Sequence, residues 1–170
     1  MIKNIKNIRS GFTLIELIIV IAIIGLLAAI VMASLGNART KSEDAGIKSN
    51  LHTAQTEAEL FYVNNNNLYL PTNGIAINVG SCPSYDVSGN GTNIVTRNKT
   101  IASAIAKAQS VSSGLTSCLN DINKWAFVVQ YSRKNKAWCV DSLGKAKEET
   151  IGGTQSQADV DAVISSGSCL

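Results

Sequence analysis

The sequence predicts an α+β fold: a long N-terminal helix, transmembrane in its first half and amphipathic in its second, packed on a small antiparallel sheet. Three observations predict it. Residues 17–33 carry no charge, and residues 12–38 hold a single charged side chain, Glu16. Further on, Ile47, Leu51, Ala54, Ala58 and Phe61 recur at spacings of four and three, the mark of one helical stripe. Residues 125–131 and 137–141 are dense in aromatic and β-branched side chains and are separated by a short polar turn, as in a hairpin.

The apolar run decides the class. Its length excludes an ordinary core helix of a soluble domain, which keeps a polar face. Helical from residue 12 to residue 35, it would reach about 36 Å, enough to cross a hydrocarbon core of about 30 Å with some tilt. Lys3, Lys6 and Arg9 precede it with no acid among them. This bias places the N-terminus in the cytoplasm and the rest of the chain outside. The formal charge of +3 over 170 residues is owed to those three residues. Without them basic and acidic side chains balance, so the charge carries no argument for nucleic acid.

Glu16 is the informative residue. An acid in an apolar helix costs about 3 kcal/mol on insertion scales, and more once the helix is packed among other apolar helices, where it needs a cation or a proton. A secretory signal cut after the small-residue stretch Val31-Met32-Ala33, or a plain anchor, leaves that acid unexplained. Residues 12–38 supply no basic side chain. A cut before Phe12 would create an α-amine four residues from Glu16, about one helical turn away.

Gly11-Phe12-Thr13-Leu14-Ile15-Glu16, after a short basic leader, resembles the type IV prepilin signature shared by type IV pilins and by the pseudopilins of type II secretion and DNA-uptake machines. The resemblance covers roughly residues 9–38 and makes the expected fold pilin-like. It implies that prepilin peptidase cuts between Gly11 and Phe12 and methylates the Phe12 amine. It also implies that Glu16 pairs with the N-terminal amine of an adjacent subunit. The expected organisation is a leader over 1–11, a transmembrane and assembly helix over 12–38, its amphipathic continuation over 39–63, and an extracytoplasmic head over 64–170. The expected partners are prepilin peptidase, identical or related subunits, an inner-membrane platform and motor, and membrane lipid before assembly. The chain departs from many family members in lacking a proline between Leu26 and Leu35, so a kink there has no obvious origin beyond Gly25, Ser34 and Gly36.

In the head, the four asparagines at 64–67 end the long helix. Turns are expected at residues 71–74 and 88–91. A short helix over 100–111 puts Ile101, Ala104, Ile105, Ala108 and Val111 on one face. A hairpin turning at residues 132–135 opposes Val129 to Trp138 and Phe127 to Val140. Trp125, Phe127, Val129, Tyr131, Trp138 and Val140 then share one face, and Ala126, Val128, Ala137 and Cys139 the other. Both faces are apolar, so the pattern does not say which one covers the helix. A third strand over 145–151 and a terminal helix over 158–164 complete the expectation.

Cys82, Cys118, Cys139 and Cys169 all follow the apolar run and show no C-x-x-C spacing, which suggests disulfides in an oxidising compartment. Four cysteines allow three pairings. Pilins often tie a C-terminal loop to the sheet, a habit that favours Cys139–Cys169 and with it Cys82–Cys118; other pairings and free thiols stay open.

The reading is therefore a non-enzymatic filament subunit without cofactor, first in the inner membrane and then in an extracellular or periplasmic filament. A pseudopilin is the alternative, and a membrane-anchored binding module the more distant one. No G-x-x-x-x-G-K loop is present, so assembly energy must come from other proteins. His52 reads as a surface residue. Arg133, Lys134 and Lys136, with Lys124 near, make a basic turn better explained as solubilising an edge than as binding nucleic acid. Asp141, Glu148, Glu149, Asp159 and Asp161 are too scattered in sequence to predict a calcium site.

Overall fold

The computed structural model describes residues 11–112, 114–131 and 135–170. The chain divides into two units after Thr40. Helix α1, Leu14–Asn64, runs through 51 residues. It is unbroken over the proline-free stretch near Ser34, and every side chain of residues 11–39 is exposed. The helix ends where Asn66 and Asn67 turn left-handed, at φ 54° and 58°. Asn67 N–H reaches back to the Tyr62 carbonyl at 3.0 Å, which satisfies a terminal acceptor.

The second unit holds an antiparallel sheet in sequence order: β1 (Ile77–Gly80), β2 (Thr116–Asn120), β3 (Trp125–Gln130), β4 (Lys136–Asp141) and β5 (Ala146–Thr150). Helices α2 (Ile94–Arg97) and α3 (Lys99–Ser112) precede β2, and α4 (Gln157–Ala162) follows β5. Val129 faces Trp138 and Phe127 faces Val140, the expected register. The turn expected at 132–135 falls on residues outside those described, Asn135 excepted.

The face left open by the sequence pattern is settled by packing. Trp125, Phe127, Val129, Tyr131 and Val140 share a core with Ile47, Leu51, Ala54 and Ala58 of α1 and with Ile101, Ala104, Ile105 and Ala108 of α3. Trp125 stacks on Phe127 with ring centroids 4.6 Å apart. Trp138, only partly buried, lies under Lys48 Nζ at 4.5 Å from the ring centroid. On the opposite face Ala126, Val128, Ala137 and Cys139 meet Ile151, Val160, Val163, Ile164 and Cys169. Both faces are covered, which is why both strands lack polar alternation. Val111 departs from its expected place. It sits at the rim, partly exposed, while Ser112 is buried in its stead.

The polar connection between α1 and α2 is held by Asn120, fully buried on β2. Its Oδ1 accepts from Ile94 N–H at 3.0 Å and its Nδ2 donates to the Tyr69 carbonyl at 3.2 Å. Ile75 N–H donates to the Thr92 carbonyl at 2.8 Å, joining the two expected turns.

Candidate functional site

Gly11 and Phe12 precede α1, and the Phe12 side chain is 85% exposed. A Cβ built on Gly11 meets nothing within 4 Å, so the fold places no steric demand for glycine there. Glu16 stands in the first turn of α1. Its Oε2 accepts from Thr13 N–H at 2.9 Å and from Thr13 Oγ1 at 2.8 Å, while Glu16 N–H donates back to Thr13 Oγ1 at 3.3 Å. This reciprocal arrangement is a capping box, which satisfies N–H groups that the first helical turn leaves without partners. Reading the sequence for a cation to match Glu16 passed over Thr13, although the T-x-x-E spacing is the signal for such a cap.

Beyond that turn the residues from Leu17 to Leu35 present exposed, uncharged and mostly apolar side chains on all sides, Leu17 at 60% and Met32 at 74% exposed among them. Among the described residues this is the helix long and apolar enough to cross a membrane. Exposed apolar surface of this extent calls for lipid or other helices around it.

In the head, Cys82 is joined to Cys118 with Cα atoms 4.9 Å apart, and Cys139 to Cys169 with Cα atoms 5.9 Å apart. The first bridge ties the segment after β1 to β2. The second ties the chain's last turn to β4.

The acids considered for calcium have other partners. Asp159 caps α4, accepting from Thr154 Oγ1 and from Ser156 N–H and Oγ; these hydrogen bonds, Thr154 foremost, hold its carboxyl below the usual carboxylate range. Asp161 accepts from Gln157 Nε2 at 2.8 Å. Lys147 pairs with Glu149 at 3.0 Å, and Lys136 pairs with Glu148. Among the described residues no cluster of three His, Cys, Asp or Glu side chains could hold a metal. His52 is exposed on α1. Of the basic turn, Arg133 and Lys134 lie outside the described residues.

A membrane-length helix opened by a capped acid and followed by a disulfide-bonded α+β head defines a pilin-like class of protein. The family described as the prokaryotic N-terminal methylation motif matches residues 6–32. The type IV wide pilus major component PilA4 of Thermus thermophilus is 40% identical over 71 residues. That match covers 42% of this chain and 53% of the relative, so about half the length of the relative is matched. No solved structure matches the chain. The N-terminal segment thus carries the prokaryotic N-terminal methylation motif, and the chain is similar over 71 residues to a type IV pilin.

Proposed function

We propose that the chain is a structural subunit of a type IV pilus or related filament. Prepilin peptidase removes residues 1–11 and methylates the amine of Phe12. The apolar half of α1 then rests in the inner membrane with its N-terminus at the cytoplasmic side. An assembly platform and motor transfer it into a filament of identical or related subunits, where the helices cover one another and the heads lie outside. The observation that carries this reading is the placement of Glu16. An acid stands in the first turn of a helix whose residues 17–38 carry no charge, one turn from the bond whose cleavage would create a cation. The cap with Thr13 would serve any such helix; what a plain anchor or a removed signal leaves unexplained is a charged cap placed one turn from the Gly11–Phe12 bond. The absence of any steric need for glycine at 11 supports its being read by a peptidase rather than by the fold.

Mass spectrometry of the N-terminal peptide, from membranes and from sheared surface filaments, tests the reading. A mature chain beginning at methylated Phe12 is expected in both fractions. An intact Met1 terminus, or a start at Ser34, in mature protein would end it. Mature chain confined to short periplasmic filaments would assign the same subunit to secretion or DNA uptake.

A further inference from the structure

We propose that Asp141 is the dock for the C-terminal segment, seating Cys169 beside Cys139 before their sulfurs are joined. Asp141 ends β4 and is fully buried. It lies two residues from Cys139, hence on the same face of the strand. Its two carboxylate oxygens are divided between two segments. Oδ1 accepts from Leu143 N–H at 2.9 Å and from Lys145 N–H at 3.0 Å, closing the β4–β5 turn in which Gly144 takes φ 81°. Oδ2 accepts from Cys169 N–H at 2.9 Å. Lys145, placed by the first oxygen, sends its Nζ to the Cys169 carbonyl at 2.6 Å. Cys169 is thus held at its amide, its carbonyl and its sulfur, and two of those three attachments are not covalent.

The consequence is kinetic and structural. Cys169 lies 30 residues from Cys139. A flexible loop of that length offers its thiol at an effective concentration of about millimolar. A tail already seated by charge-assisted hydrogen bonds offers it continuously. Closure itself needs an external disulfide. One cysteine thiolate attacks it and expels one thiolate; the second cysteine then displaces the other. Two cysteine thiols lose two protons and two electrons, and the external disulfide is reduced to two thiols. In this scheme the bridge seals a tail that Asp141 has already placed.

The test uses the full chain in detergent micelles. In a Cys139→Ser/Cys169→Ser protein, hydrogen exchange of the peptide ending at Leu170 should stay within about threefold of the oxidised parent. Adding Asp141→Asn, which trades an acceptor oxygen for an amide nitrogen, should speed it roughly tenfold or more. In the reduced four-cysteine chain, oxidised glutathione should close Cys139–Cys169 roughly tenfold more slowly with Asp141→Asn, while Cys82–Cys118 closes within about twofold of the parent rate. A tail that exchanges as freely in the double-serine protein as in the triple variant would overturn the proposal. So would an unchanged closure rate. Should Asp141→Asn slow both bridges together, Lys145→Met decides. It removes only the contact to the Cys169 carbonyl, and selective slowing of Cys139–Cys169 is expected; equal rates for parent and variant would sink the proposal.

Discussion

Thr13 gives both its main-chain N–H and its hydroxyl to one carboxylate oxygen of Glu16. The acid is therefore tied to its own helix before any partner subunit exists. Thr13→Ala removes the hydroxyl and with it the return bond from Glu16 N–H. Loss of an N-cap costs about 1 kcal/mol, so amide exchange over residues 14–17 should rise about fivefold in micelles, read by NMR. Thr13→Ser should restore protection. Parent-like exchange in Thr13→Ala would mean that the cap does not order this turn.

Gly46 gives a prediction of opposite sign. It sits inside α1, and a Cβ built there meets only the Val111 methyls, at 3.8 and 4.0 Å, which is ordinary contact. Alanine is favoured over glycine in a helix by about 1 kcal/mol. Gly46→Ala should thus stabilise the head by roughly 0.5–1 kcal/mol, raising its urea midpoint. A lowered midpoint would show that α3 needs closer approach to α1 than these distances allow.

The pairing of Val129 with Trp138 was legible because both strands are rich in large side chains and the turn length fixed their register. The stripe from Ile47 to Ala58 was legible for a different reason: apolar residues at spacings of four and three mark one helical face, and that face is the one buried in the core. Strand β2 was not. Thr116, Ser117 and Asn120 are polar yet buried, because β2 lies between two other strands and Asn120 spends its side chain on the main chain of Tyr69 and Ile94. Burial of that kind is created by tertiary hydrogen bonds and leaves no periodic trace. Strand β1 is four residues long, and α2 rests on the Asn93 capping box, both too short for periodicity to register. In the apolar half of α1, Glu16 was conspicuous as a charge among apolar residues. Thr13 was not, being a polar residue at a helix start, where such residues are common.

Tyr69 sets an alkaline limit on the head. Burial, then the hydrogen bond to Glu59 and the charge of that carboxylate, pushes its hydroxyl up to about 12. The folded state therefore holds this proton more tightly than the unfolded chain, whose tyrosine titrates near 10. The stability so contributed is complete below pH 10 and is lost as pH rises from 10 through about 12. Tyr131 is shifted in the same direction, chiefly by burial. Tyr69→Phe should lower the unfolding midpoint at about pH 9, and the gap to the parent should narrow by about pH 11.5. A gap that stays constant across this range would mean that Tyr69 is not protonated preferentially in the folded head.

Glu16→Ala separates insertion from assembly. The substitution removes the only charge from residues 12–38, so it should enter the membrane at least as well as the parent. Hydrophobicity alone then predicts normal behaviour. The filament reading predicts the reverse. Packing such helices together buries the amine of Phe12, and Thr13, whose hydroxyl is neutral, cannot replace a carboxylate as its counter-charge. A buried charge left unpaired typically costs about 3–5 kcal/mol, and the cost recurs at every subunit, so polymer should be abolished or sharply reduced. Glu16→Gln keeps the shape and can still accept from Thr13, but lacks charge; it should recover only part of the yield. The measurement is the ratio of sheared filament protein to membrane-held protein in each variant, with cleavage at Gly11 checked separately. Parental yield from Glu16→Ala at equal membrane levels would remove the amine–carboxylate pair from the assembly mechanism and leave Glu16 as the cap of its own helix.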